Sequence, residues 1–146
     1  MNLTLLACLF LATLTPLHAE PTCASFPVTA SNTLSTSDRI LAWAFKTKTS
    51  GFMVKLKGTV IWKLPDDTAG SRHQRFIVRL NSRQTLLIAH NIDLAPRVSA
   101  LKTNNPVTIY GEYIWNAQGG IIHQTHRPPD ASKGGGWIRY QGAIYQ

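Results

Sequence analysis

Five β-type runs, a glycine in the middle of the first, and a helix-spaced segment between the third and fourth predict a mainly β fold. That order matches a small OB-fold-like barrel: strands one to three, a short helix, then strands four and five. A helix ahead of the barrel and a hairpin behind it read as additions. Five barrel strands, two helices and a terminal hairpin fit one domain, residues 36–146.

The chain opens on an apolar run, Leu3–Leu14, broken only by Thr4, Cys8 and Thr13. Pro16 and Leu17-His18-Ala19 follow. This has the length of a signal-peptide core with a small residue at the cleavage position. It is too short to span a bilayer as a helix. Residues 1–19 are therefore expected to be a leader cut after Ala19, and the mature chain to be periplasmic or secreted. Cleavage removes Cys8 and leaves Cys23, which has no partner for an intramolecular disulfide. The domain is then held by packing. Residues 20–35, rich in Pro, Thr, Ser and Ala, read as an extended lead-in.

The first helix is expected from an N-cap at Ser37, with Asp38 in the first turn, to a stop at Gly51. Ile40, Leu41, Ala44 and Phe45 make its apolar stripe, and Trp43 its edge. Strand one, Val54–Lys63, alternates Val54, Leu56, Gly58, Val60 and Trp62 against Lys55, Lys57, Thr59, Ile61 and Lys63. Gly58 marks the bend a barrel strand needs. Arg75–Leu80 and Thr85–His90 are strands two and three, joined by Asn81-Ser82-Arg83.

Asp93–Leu101 places Leu94, Ala95, Val98 and Leu101 at helical spacing, with Asp93 at the N-cap and Pro96 near the start. Val107–Arg127 is a hairpin around Asn116-Ala117-Gln118-Gly119-Gly120, whose two glycines supply the positive φ a tight loop needs. After the Pro- and Gly-rich stretch 127–136, Trp137–Tyr140 and Ala143–Tyr145 form the terminal hairpin.

Net charge is +8, from 15 Lys+Arg against 7 Asp+Glu, with no single basic run. A basic face must then be assembled by folding, and it would favour an anionic polymer, either nucleic acid or glycan. Lys55, Lys57, Lys63, Arg75, Arg79 and Arg97 are the candidate binding cations. Tyr110, Tyr113, Trp115, Trp137 and Tyr140 are candidate stacking groups, with Tyr113 and Trp115 better explained as core. OB barrels commonly bind oligonucleotides or oligosaccharides across strands two and three.

The catalytic candidates are His90, Asp93, Glu112, His123 and His126. His90, His123 and His126 are also the candidate metal ligands, and zinc is the metal three imidazoles suit. No cofactor is required. There is no HExxH, CxxC, P-loop or Rossmann fingerprint, and the few carboxylates do not suit calcium. The leading reading is a non-catalytic binding module for an anionic polymer. The alternatives are a metal-assisted hydrolase of phosphodiesterase type and an envelope protein-interaction domain.

Four segments, Arg72–Leu80, Leu86–Val98, Tyr110–His126 and Gly135–Tyr145, together resemble the bacterial domain-of-unknown-function family 3465 in order and spacing. The chain reads Arg127-Pro128-Pro129-Asp130 where the family pattern is closer to His/Arg-Asp-Pro. The resemblance implies one compact unit in an exported protein and carries no reaction with it.

Overall fold

Strand β1 (Phe52–Lys63) belongs to two ladders at once, and that sharing closes the barrel. In the computed structural model, which describes residues 33–128, 130 and 134–146, its first half pairs antiparallel with β4 (Pro106–Ile114). Its second half pairs antiparallel with β2 (His73–Arg79). β2 pairs with β3 (Thr85–Asn91), β3 lies parallel to β5 (Ile121–His123), and β5 pairs back onto β4. The order β1-β2-β3-β5-β4 with a β1–β4 closure is the five-stranded OB barrel. The leader, Cys8, Cys23 and nearly all of the lead-in lie outside the described residues.

Gly58 stands where β1 passes from one partner to the other. A Cβ there would collide with the Val78 side chain and the Arg79 carbonyl, so only glycine lets β1 and β2 cross this closely. Val54, Leu56 and Val60 face inward as alternation requires, and they meet Phe76, Ile88, Ile109, Tyr113 and Ile122 in one core. Trp62 departs from the alternation. The register slips between Val60 and Trp62, so Ile61 has no residue opposite and Trp62 faces Ile77. This bulge turns Trp62 to the outside, where it is 64% exposed.

Helix α1 (Thr36–Thr47) starts earlier than its sequence suggests: Ser35, not Ser37, is the N-cap, and its side chain accepts from the Asp38 N–H. Lys48 ends the helix in the left-handed conformation (φ 56°), so Gly51 is not the stop; its N–H instead donates to the Tyr113 carbonyl. Leu41 and Ala44 are buried, whereas Ile40, Trp43 and Phe45 are exposed, so the stripe that packs is narrower than the periodicity implies. Two long-range hydrogen bonds position α1. Asp38 accepts from the Ser82 N–H in the β2–β3 turn, and Trp115 Nε1 donates to the Phe45 carbonyl from the β4–β5 turn. The helix therefore caps the end of the barrel where β3 and β5 begin.

The opposite end is closed without the expected helix. Residues 92–105 form turns, yet Ala95, Val98 and Leu101 are buried as their spacing indicates. Side chains of other elements take the backbone groups a helix would use. Gln74 holds both the N–H and the carbonyl of Val98, His90 holds the Pro96 carbonyl, and Asn91 accepts from the Asp93 N–H. The β4–β5 loop conforms to its sequence: Asn116 Oδ1 accepts from Gln118 and Gly120, and Gly119 and Gly120 have φ near 118° and 111°. Strands β6 (Trp137–Tyr140) and β7 (Ala143–Tyr145) form the terminal hairpin, and β6 extends the sheet from β4 beyond β5.

Candidate functional site

The three candidate metal ligands are not brought together. His90 follows Leu86 and Ile88 on the inward face of β3 and is fully buried. Its Nε2 lies 3.1 Å from the Pro96 carbonyl, which can only accept, so that nitrogen carries the proton. Nδ1 then accepts from the Thr125 hydroxyl at 2.8 Å. Burial holds the imidazole below the usual histidine range, opposed by the Pro96 carbonyl and reinforced by the neighbouring imidazoles of His126 and His73. His126 Nδ1 is 3.1 Å from the Arg127 carbonyl.

His123 lies on the outward face of the sheet, opposite Glu112 across the β4–β5 ladder. Its Nε2 is enclosed 3.1 Å from Glu112 Oε2, but the N–H does not point along that line. The two atoms are close without a formed hydrogen bond. Of the catalytic candidates, Glu112 and His123 lie at contact distance, 3.1 Å apart. A catalytic zinc takes three protein ligands, and among the described residues no three His, Cys, Asp or Glu side chains converge. Asp93 caps no helix. It accepts from the Arg72 N–H at 2.7 Å and from Arg72 Nε at 2.9 Å, and this N–H first, then the guanidinium, holds its carboxyl below the usual range.

The candidate cations divide into two groups. Arg75 lies 3.8 Å from Asp67 and donates Nε to the Pro65 carbonyl; Arg97 is ion-paired with Asp66. With Lys63 they line a cavity of about 190 Å³ between the β1–β2 loop and residues 97–101. Lys55 and Lys57 lie elsewhere, on the outer face of β1. Register sets Lys55 beside Tyr110 of β4, and Tyr110 beside Trp137 of β6. The next row is Lys57, Thr108 and Arg139. Arg79 pairs with Thr59, two residues beyond Lys57 on the same face.

In these rows the cations surround the aromatics. Lys55 Nζ is 5.8 Å and Arg139 Cζ 5.3 Å from the Trp137 ring centre, and Tyr110 and Trp137 are 6.1 Å apart at 43°. Beside them is an open cavity of about 360 Å³ bordered by Lys55, Lys57, Thr108, Arg139 and the start of α1 at Ser35 and Ser37. Arg139 was not among the candidate cations. The alternation of Trp137 and Arg139 against buried Ile138 and Tyr140 carries its outward direction, but not its place beside β4. Tyr113 and Tyr140 are buried: Tyr113 Oη donates to the Gly119 carbonyl, and Tyr140 Oη accepts from Lys102 and Asn105. Trp115 stacks on Phe45 at 6.5 Å and is spent on holding α1.

A second open cavity, about 320 Å³, lies on the outer face over β2, β3 and β5. Leu87, Ala89, Ile114 and Ile121 form its floor, and Asp67, His73, Arg75 and His123 its rim.

Fold and surface together define a small OB-fold domain whose outer face groups lysine and arginine around a tilted pair of aromatic rings. The chain belongs to DUF3465, a family of proteins of unknown function, whose family model matches residues 24–146. No curated protein matches it significantly. No helix of the described residues is long and apolar enough to cross a membrane.

Proposed function

We propose that this domain is a non-catalytic binding module for an anionic polymer, gripped on the outer face of β1, β4 and β6. The observation that carries the reading is the pair of adjacent rows Lys55–Tyr110–Trp137 and Lys57–Thr108–Arg139. No carboxylate belongs to either row; Glu112 lies one row further on and faces His123. Cations that follow a backbone, combined with aromatic faces, are the ingredients of single-strand nucleic acid binding. With its leader removed, the module works outside the cytoplasm in this reading.

The test is a salt titration. Single-stranded oligonucleotide and a polyuronate glycan are titrated against the cleaved protein at several salt concentrations. Lys55→Ala/Lys57→Ala/Arg139→Ala is compared with wild type. Each cation removed from a phosphate lowers the slope of log K against log salt by about 0.7 on a single strand, so the triple variant should reduce it by about 2. An unchanged slope rejects this face. Binding of the glycan alone assigns the polymer as glycan, and binding of neither rejects the module.

A further inference from the structure

We infer that the outer face over β2, β3 and β5 is a base-binding strip, on which an unstacked nucleobase lies in the 320 Å³ cavity and the next stacks on Trp62. The inference rests on the nucleic-acid reading and names the part of the ligand that the basic rows do not hold.

Two neighbouring rows of the sheet build the strip. The first is apolar across five strands. Trp62 faces Ile77, Ile77 faces Leu87, Leu87 faces Ile121, and Ile121 faces Ile114. An exposed tryptophan continuing an apolar row on an outer sheet face covers no core. It offers a rigid, flat surface of the kind on which bases stack in a sequence-tolerant way.

The second row is polar, with a gap in it. Arg75 faces Ala89, and His123 faces Glu112. Continuing the β3–β5 register by one residue sets Ala89 beside His123. Ala89 is the smallest side chain of the row, and the cavity opens above it. Its volume falls at the lower end of the roughly 300–1,000 Å³ range of small-molecule sites.

The chemistry of the rim selects a base edge over a phosphate. Arg75 and Asp67 stand 3.8 Å apart, so a donor and an acceptor lie side by side with their charges balanced. His73 has Nδ1 fixed on the Ser71 carbonyl at 2.7 Å, which leaves Nε2 for a ligand; His123 has Nε2 enclosed by Glu112, which leaves Nδ1. A rim with both donors and acceptors, its arginine balanced by an aspartate, over an apolar floor matches a planar heterocycle whose edge carries both. Phosphates belong to the basic rows, and the two surfaces share β4. Tyr110 and Glu112 lie two residues apart on one face, about 7 Å along the strand.

Two substitutions test the strip without touching a cation. Trp62→Ala removes the platform, and its exposure leaves the barrel intact. Ala89→Leu fills the cavity from below. Each is titrated with oligothymidylate and with an abasic oligonucleotide of equal length, and melting curves verify the fold. Each variant should weaken oligothymidylate on the order of tenfold, the scale of one base stacked on one aromatic ring, and leave the abasic strand unchanged. Wild-type affinity of both variants for oligothymidylate overturns the strip, as does equal weakening of both strands. If the wild-type protein binds both strands equally and in a salt-dependent way, the basic rows stand and the strip falls. If it binds neither strand, the nucleic-acid reading itself falls.

Discussion

His90 shows how much a single residue's neighbours decide. As a residue type it invites a metal or a proton-transfer role, yet Thr125 and Pro96 occupy both ring nitrogens. Its strand was legible, but its inward direction was not, because Leu87 and Ala89 make the other face apolar too; nor were its partners, which come from 35 and 6 residues away. The native pKa is lowered below 6.5, so the unfolded chain binds the proton more readily. The stability tied to His90 is intact above pH 6.5 and is lost as the pH falls from there through the lowered native value. His90→Gln should flatten this acid limb while lowering stability at neutral pH, as thermal melts across roughly pH 4–8 would show. An unchanged acid limb would contradict the assignment of the neutral imidazole.

At the scale of elements, regularity was legible where the chain makes its own hydrogen bonds. The β4–β5 hairpin follows from Asn116, Gly119 and Gly120, all local. Residues 93–101 have helical spacing without a helix, because apolar spacing reports which side chains are buried and not where backbone groups find partners. There Asn91 makes a local turn with the Asp93 N–H, but the other partners, Gln74 and His90, lie outside the segment. Gln74→Ala should therefore cost on the order of 1–3 kcal/mol, because it orphans the buried Val98 N–H and leaves the Val98 carbonyl only the 3.3 Å bond from the Leu101 N–H. Chemical denaturation measures this, and a cost below about 1 kcal/mol would mean that the connection re-forms its own bonds. The bulge at Ile61 was likewise illegible: the alternation predicts Trp62 inside, and only the pairing with β2 reveals the surplus residue.

For the whole molecule, strand order decides which cations share a face. Lys55, Lys57, Lys63, Arg75 and Arg79 occupy successive strands in sequence, but β4 and β6 join the first two and Arg79 lies beyond Lys57 on the same face, while Asp66 and Asp67 lie near Lys63, Arg75 and Arg97. The shortest ladder in the barrel wall is β3–β5, Leu87 with Ile121 and Ile88 with Ile122, which joins residues far apart in the chain. Hydrogen exchange should find the amides of Ile121–His123 opening before those of Leu56–Val60 in the doubly paired strand β1. The reverse order would place the weak seam elsewhere. Helix α1 closes one end of the barrel and residues 92–105 the other, with Phe76, Tyr113 and Tyr140 filling the space between. On the binding-module proposal, a barrel so filled leaves its ligand on the outer surface, so capture and release need no door. Arrival, on that same proposal, is then set by charge-steered encounter at the surface and residence time by how fast the surface contacts let go.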